Sequence, residues 1–133
     1  NPVAAAAGRT TLELAGPEVY AHLDATAEKL RAAVAEALTA AGVPHVIQHM
    51  ANLFSVFFTP ADVTTVPDYP TAQRQSSEAY AAFFHAMLDA GVNLAPSGYE
   101  AWFVSAAHDD IALSRIVEAL PAGARAAAAA LEG

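Results

Sequence analysis

One long amphipathic segment constrains the possible folds of this chain more than any other feature of its sequence. Between Gly16-Pro17 and Gly42, apolar residues recur at steps of three and four positions, while charged residues occupy the other faces. This spacing predicts an α-helix that buries one side against the rest of a domain, with glycine and proline marking its two ends. Its apolar stripe consists of Tyr20, Leu23, Ala27, Leu30, Val34 and Leu38.

The N-terminal half contains three further predicted elements. Asn1-Pro2 is a typical helix start, and this first helix is expected to extend to about Leu14, with Gly8 at a close packing contact. Two strands are predicted after the long helix, at about 44–49 and 53–58, and the short connection between them indicates an antiparallel hairpin. The second strand is almost wholly apolar, which is typical of a strand covered on both faces.

The C-terminal half begins with a long irregular loop over residues 59–75, which contains three prolines. Loops of this length in small domains often carry a function. A third helix is expected to begin near Ser76 or Ser77 and to end at Gly91. Its buried face is predicted to comprise Tyr80, Phe83, Phe84, Met87 and Leu88.

Two short strands and a last helix complete the pattern. The strands are expected at about 92–94 and 102–105, and His108 or Asp109 is expected to cap the helix. Pro121–Gly123 is expected to interrupt this helix before an alanine-rich tail. The whole pattern predicts the α+β fold class, a small and mainly antiparallel sheet of three or four strands with helices packed on it. The apolar positions of the last helix include Ile111, Ile116, Val117 and Leu120.

The composition argues against several classes of function. The 14 acidic and 6 basic residues give a net charge of −8, whereas binding to nucleic acid or to an anionic membrane needs clustered Lys and Arg. The chain has no cysteine, so disulfides and cysteine-ligated zinc are excluded. With 55% hydrophobic residues it can bury a core, yet no apolar run approaches the roughly 20 residues of a membrane span.

The histidines and the only lysine form no recognisable catalytic motif. His45 and His49 are spaced to point to one face of a strand, but no third ligand is indicated, so no metal site is predicted. His85 is interpreted as a packing residue in an aromatic segment, and helix capping explains His108 and the aspartates that follow it. Lys29 lies on the long helix and is interpreted as a solvated side chain. A nucleophile elbow, a phosphate loop and a dinucleotide fingerprint are all missing.

Glu100 is a carboxylate in an unusual setting. It lies between Tyr99 and the apolar run 101–104, just after the chain breakers Pro96 and Gly98. The residues alone leave two interpretations open. One is a partly exposed carboxylate at a strand end, which is the commoner case, and the other is a residue that faces a site.

Two segments of the chain resemble a known family of enzymes. The first, residues 1–8, reads "NPVAAAAG" and is similar to a helix start that follows a Ser-Gly pair in class III aminotransferases of the pyridoxal phosphate superfamily. The second, residues 83–110, reads "FFHAMLDAGVNLAPSGYEAWFVSAAHDD" and is similar to a pattern near the C-terminus of one branch, the glutamate-1-semialdehyde aminomutase family. The segments between them also agree ("AGVPHVIQHMANLFSVFFT" and "VPDYPTAQ"), so the resemblance extends to about Leu120.

The resemblance implies a cytoplasmic, homodimeric pyridoxal 5'-phosphate enzyme that isomerises glutamate 1-semialdehyde to 5-aminolevulinate for tetrapyrrole biosynthesis. Its cofactor is cycled through pyridoxamine 5'-phosphate. The resemblance also implies that this chain is the C-terminal portion, with residues 1–15 as the last helix of a large domain and residues 16–133 as a small α+β domain. The family's Schiff-base lysine lies upstream of the matched region, and Lys29 does not match it. The chain alone is therefore expected to bind no cofactor and to be inactive.

The resemblance also implies one site residue. In the family, the glutamate of the matched segment reaches the active site near the amino groups of the substrate, and Glu100 matches it. Glu100 is thus the expected catalytic residue, and no cofactor-binding or metal-binding residue is expected in this chain. The sequence departs from the family pattern at Gly98, Tyr99 and Trp102, and Gly98 is expected to loosen the turn. Another class III aminotransferase, or a free-standing binding or assembly domain of this fold, remains an alternative.

Overall fold

The computed structural model describes every residue from Asn1 to Gly133. Its sheet has three antiparallel strands in the order β1-β2-β3, and helices pack against one face of it. This is the α+β arrangement that the sequence predicts, with three strands. None of the helices combines the length and the hydropathy that a bilayer-spanning segment needs. In chain order the elements are α1 (Pro2–Leu14), α2 (Pro17–Ala40), β1 (Val46–Met50), β2 (Leu53–Phe57), α3 (Tyr69–Ala72), α4 (Ser77–Asp89), β3 (Trp102–Phe103) and α5 (Asp110–Glu132).

The long amphipathic helix is α2. Pro17 occupies its first turn, and beyond its last residue, Ala40, Gly42 turns the chain away with a φ of +72° that favours glycine. The predicted stripe is confirmed for the C-terminal part of the helix, whereas Tyr20 remains 49% exposed. The buried residues of α2 are Thr26, Ala27, Leu30, Val34 and Leu38.

The first helix, α1, begins as predicted but takes no part in the core. The Asn1 side chain accepts a hydrogen bond from the Val3 N–H at 2.9 Å, and Pro2 suits the first turn. No residue of α1 is buried, and a Cβ atom at Gly8 would meet nothing within 4 Å. The close contact predicted at Gly8 is therefore wrong within this chain.

The hairpin of β1 and β2 is confirmed, and Ala51 makes its tight turn with a φ of +50°. Phe54 and Val56 point into the core, while Leu53 is 37% exposed on the opposite face. Phe57 lies on that opposite face too, where it packs against a small separate cluster. The prediction that β2 is covered on both faces is thus correct at Phe57 and wrong at Leu53.

The third strand is shorter than predicted, and a fourth strand does not form. Only Trp102 and Phe103 pair with β2, opposite Phe54 and Leu53 respectively. Residues 92–94, predicted as a strand, have no regular secondary structure. Val92 instead donates its N–H to the Met87 carbonyl at 2.9 Å, which closes the C-terminal end of α4 rather than a sheet ladder.

Helices α4 and α5 form the most extensive helix pair of the domain. Gly123 makes this possible, because a Cβ atom there would lie 2.9 Å from the ring of Phe83 and 3.0 Å from the sulfur of Met87. The predicted interruption at Pro121–Gly123 is wrong, since α5 continues through Pro121 to Glu132. Packing of this segment on α4 outweighs the loss of one backbone hydrogen bond at the proline. The predicted N-cap is confirmed for Asp109, which accepts a hydrogen bond from the Ala112 N–H at 2.8 Å.

Helix α4 begins at Ser77, within the predicted start, with Ser76 as its N-cap, and Gly91 follows its end with a φ of +85°. Most of its predicted face is buried or partly buried, but Leu88 is 43% exposed. The main core comprises residues from α2, the sheet, α4 and α5. Its largest fully buried side chains are Phe54, Phe58, Phe83, Leu38, Met87, Leu120, Val34 and Val56.

A second, smaller cluster lies within the long loop. The predicted irregular segment 59–75 is interrupted only by α3, whose N-cap Asp68 accepts hydrogen bonds from the amide and hydroxyl of Thr71. These two bonds hold the pKa of Asp68 below its usual value. Val63, Val66 and Ala72 bury their side chains here together with Val46. The loop is therefore packed onto the outer face of the hairpin.

Candidate active site

Glu100 lies at the end of a turn that leads into β3. Its N–H donates to the Ser97 carbonyl at 3.1 Å, and the Ser97 hydroxyl accepts a hydrogen bond from the Tyr99 N–H at 3.2 Å. The Ser55 hydroxyl of β2 approaches the Glu100 carbonyl at 3.4 Å, which is at the long end of hydrogen-bond distances. The predicted turn before Glu100 is thus present, and Glu100 stands two residues before Trp102, the first residue of β3.

The Glu100 side chain is exposed, and none of the basic residues of the chain pairs with it. It borders a mainly apolar cavity of about 330 Å³ beside β3. Trp102 and Phe103 form part of the wall, and Asn93 and His108 are its other polar side chains. A carboxylate without a cationic partner at the edge of an apolar cavity is able to receive a cationic group from another molecule.

The negative charge of Glu100 contributes to the pKa of the Tyr80 hydroxyl. Tyr80 is 4% exposed, and burial raises its pKa to about 12, with a further contribution from the negative charge of Glu100. Hydrogen bonding with Trp102 acts in the opposite direction. Burial first, and the nearby negative charge second, disfavour the phenolate, so Tyr80 stays protonated at neutral pH and well into the alkaline range.

Gly98 has a packing role that the sequence did not indicate. It is buried, and a Cβ atom there would collide with the side-chain oxygen of Gln75 and lie 3.1 Å from the ring of Tyr80. Glycine therefore lets the turn sit directly on these two side chains. The amide nitrogen and oxygen of Gln75 are buried, and neither has a hydrogen-bond partner in the chain.

The histidines form no metal site. His45 lies outside β1 and its Nδ1 is 2.9 Å from the Val43 carbonyl, while His49 is exposed at the far part of the strand. No group of three or more His, Cys, Asp or Glu side chains in the chain could hold a metal ion. His85 is exposed, with its ring edge-on to Phe84 at 5.3 Å between centroids, so the predicted packing role is limited to this contact.

His108 is a second titratable side chain on the wall of the cavity beside Glu100, a place that the sequence did not indicate. Its Nδ1 accepts a hydrogen bond from the Ser105 N–H at 3.0 Å, which closes the turn between β3 and α5. Asp109 alone caps the helix, so capping does not explain His108. Its place beside the cavity depends on the turn at 105–108, and the sequence gives no pattern for that turn beyond the Ser-Ala-Ala-His order itself.

The fold is consistent with one class of protein. A three-stranded antiparallel sheet with helices on it fits the small C-terminal domain of a pyridoxal phosphate enzyme. No protein-family model matches the chain. Over 128 residues it is 54% identical to the glutamate-1-semialdehyde 2,1-aminomutase of Cutibacterium acnes (strain DSM 16379 / KPA171202). This alignment covers 96% of the chain and 29% of the relative. The chain is thus similar to the C-terminal portion of that aminomutase.

The residues of this chain do not form a pyridoxal phosphate site by themselves. Such a site needs a lysine for the aldehyde and several backbone or hydroxyl donors for the phosphate. Lys29 is exposed on α2, and the chain has no glycine-rich phosphate loop. The largest cavity, of about 710 Å³, lies between the end of α2, β1 and the loop at 60–64, and His45 is its titratable side chain. Neither Lys29 nor Glu100 lines that cavity.

Proposed function

We propose that this chain is the C-terminal part of a pyridoxal-phosphate-dependent aminomutase that converts glutamate 1-semialdehyde to 5-aminolevulinate in tetrapyrrole biosynthesis. The identity of 54% to a protein of that name supports the proposal. The single observation that carries it is the position of Glu100, a carboxylate without a cationic partner beside a cavity of about 330 Å³, in the segment that carries the family's pattern.

In this proposal Glu100 binds an ammonium group of the substrate or of an intermediate. A carboxylate stabilises a neighbouring positive charge and accepts its hydrogen bonds, and glutamine retains only the second ability. The apolar walls at Trp102 and Phe103 would exclude water once another part of the enzyme covers the cavity. The negative charge of the carboxylate and the exclusion of water both strengthen an interaction between Glu100 and an amine.

The chain is proposed to contain parts of two domains of a homodimeric, cytoplasmic enzyme. Residues 1–15 are assigned to the last helix of the large domain and residues 16–133 to the small domain. The bare surface of α1 supports this division, since no residue of α1 joins the core of the remaining chain. The Gly16-Pro17 break between α1 and α2 supports it as well.

The cofactor is proposed to be held by the remainder of the enzyme, since the residues of this chain do not fit it. When bound, pyridoxal phosphate supplies an electron sink for the bonds around the substrate's amine carbon. The contribution of this chain is then to close one side of the site and to place Glu100 near the amine. The isolated chain is accordingly proposed to be inactive.

The direct test is conversion of glutamate 1-semialdehyde to 5-aminolevulinate by the intact protein that contains this chain. We expect turnover without any added amino donor, because an aminomutase returns the amine to the same carbon skeleton. A requirement for a separate amino acid and 2-oxo acid would instead indicate another class III aminotransferase. Failure of the intact protein to bind the cofactor would indicate a binding or assembly domain.

The isolated chain provides a second test with its own control. We expect it to produce no cofactor absorbance band when mixed with pyridoxal phosphate and then separated from the free cofactor. Lys29→Ala is the matched control, because Lys29 is the only lysine. A retained band that disappears in Lys29→Ala would contradict the assignment of the cofactor site to the rest of the enzyme.

A further inference from the structure

Residues 93–100, which carry Glu100, belong to no helix or strand. Only two hydrogen bonds join this segment to the rest of the domain. One is the long contact of 3.4 Å between the Ser55 hydroxyl and the Glu100 carbonyl. The other is a short bond of 2.6 Å from the Tyr80 hydroxyl to the Ala95 carbonyl. Of these two hydrogen bonds, the one from Tyr80 of α4 is much the shorter.

The hydrogen bond from Tyr80 comes from a donor that is itself fixed in place. The Tyr80 ring is fixed in the main core, and its centroid lies 5.8 Å from that of Phe58. Its raised pKa of about 12 means that the hydroxyl remains a donor over the whole physiological range. A short hydrogen bond from a rigid, buried donor restricts its acceptor more than a bond from a mobile surface side chain.

The Tyr80 ring also packs against the turn at Gly98. A Cβ atom at Gly98 would lie 3.1 Å from the Cδ2 atom of Tyr80, closer than most Cβ contacts in proteins. The ring and the Gln75 amide thus limit how far the turn can move toward α4. Glu100 follows two residues later and is tied to the turn by its N–H bond to the Ser97 carbonyl.

We propose that Tyr80 is a positioning residue for Glu100, because its hydroxyl holds the Ala95 carbonyl and its ring supports Gly98. The proposal rests on the role proposed above for Glu100. Tyr80 does not touch the substrate in this arrangement. It determines where the carboxylate stands, and catalysis depends on such placement because small displacements of a reacting or binding group lower the rate.

The test is Tyr80→Phe in the intact enzyme, which removes one hydroxyl and keeps the ring. We expect kcat to fall about ten-fold with KM changed less than about two-fold, because the substrate's other contacts are unaffected. Tyr20→Phe is the matched control, since Tyr20 is half-exposed on α2 and belongs to no part of the site. We expect this control to retain the parent kcat.

A double-mutant cycle shows whether Tyr80 acts through Glu100. If it does, adding Tyr80→Phe to Glu100→Gln lowers kcat by less than about two-fold further. Equal losses in both backgrounds would overturn the proposal. If Glu100→Gln alone leaves turnover unchanged, the proposed role of Glu100 fails, and the proposal for Tyr80 fails as one about catalysis.

Hydrogen exchange tests the structural part separately from activity. In Tyr80→Phe we expect faster amide exchange at residues 97–101 and unchanged exchange in α4. Unchanged exchange at 97–101, or equal acceleration throughout α4, would overturn the proposal. Gly98→Ala provides an independent variant should Tyr80→Phe not fold: it pushes the turn off the ring, and we expect the same loss of kcat at unchanged KM. An unchanged kcat in Gly98→Ala would contradict the support attributed to the ring.

Discussion

Gly123 of α5 faces Phe83 of α4 so closely that a Cβ atom would stand 2.9 Å from two carbons of the ring. Phe83 is fully buried, so its ring cannot turn outward into solvent to make room. The approach of α4 to α5 therefore depends on the absence of a side chain at position 123.

We expect Gly123→Ala to lower the free energy of unfolding by roughly 0.5–2 kcal/mol, because overpacking outweighs the gain in helix propensity. Gly8→Ala is the matched control, since a Cβ atom at Gly8 meets nothing within 4 Å. We expect that control to keep the midpoint of denaturant unfolding or raise it. A more stable Gly123→Ala variant would mean that the two helices separate easily.

Pro121 is a position at which alanine is expected to raise stability rather than lower it. It lies inside α5 and supplies no N–H to the Val117 carbonyl, the acceptor one turn earlier. We expect Pro121→Ala to raise the free energy of unfolding by roughly 1–3 kcal/mol, measured by denaturant titration. Pro17→Ala at the start of α2 is the control and should change stability by less than about 0.5 kcal/mol, since the first turn needs no donor there. A loss of stability in Pro121→Ala would show that the core requires a bend in α5.

Tyr80 makes the free energy of unfolding depend on pH in the alkaline range. Its folded-state pKa of about 12 lies above the usual value of 10.0, so the folded state favours the neutral phenol. The resulting stabilisation of roughly 2–3 kcal/mol is fully present below about pH 10 and is lost as the pH rises toward about 12. We expect Tyr80→Phe to remove this part of the pH dependence in unfolding measurements. In the parent chain, the ultraviolet absorbance of tyrosinate should contain a component that titrates near pH 12 and that is absent from Tyr80→Phe. Absence of that component from the parent chain would contradict the burial of the Tyr80 hydroxyl.

Glu100→Gln tests the candidate site itself. In the intact enzyme we expect normal folding and a loss of turnover of roughly ten- to a hundred-fold, because glutamine cannot stabilise the positive charge of an amine. The control is the melting temperature, which should remain unchanged since the Glu100 side chain is exposed. Turnover within about two-fold of the parent enzyme would mean that Glu100 is an ordinary solvated carboxylate.

The isolated chain should self-associate. Val3, Leu12 and Leu14 of α1 are 75%, 72% and 74% exposed, and Phe103 on the outer face of the sheet is 73% exposed. Apolar surface of this extent favours association in water. We expect sedimentation velocity to show species larger than the monomer, and the double variant Leu12→Ser/Leu14→Ser to shift the distribution toward it. A monodisperse monomer at high concentration would contradict the assignment of α1 to a second domain.

Strong periodicity made the helices predictable, whereas the short elements depend on tertiary contacts. The stripe of α2, the start of α4 near Ser76 and the cap Asp109 depend on residues close together in the chain, so the sequence reveals them. Residues 92–94 are apolar enough for a strand, but Val92 is drawn to the end of α4 instead. For the same reason the interruption predicted at Pro121 does not occur, since the packing that keeps α5 continuous comes from α4.

The candidate site divides in a similar way. Glu100 could be selected from its neighbours and from the resemblance, and its place before β3 follows from the turn residues that precede it. The other side chains near the site come from distant parts of the chain. Tyr80 lies on α4 and His108 before α5, and no local pattern links either of them to Glu100.

The small cluster under the long loop has a consequence for how the domain opens. Val63, Val66 and Ala72 bury their side chains against Val46 and Phe57, and none of the five belongs to the main core. Local opening of residues 60–72 therefore removes no side chain from the main core. We therefore expect this loop to open while the rest of the domain stays folded, so that Val46 and Phe57 on the outer face of the hairpin meet water before the inner face does.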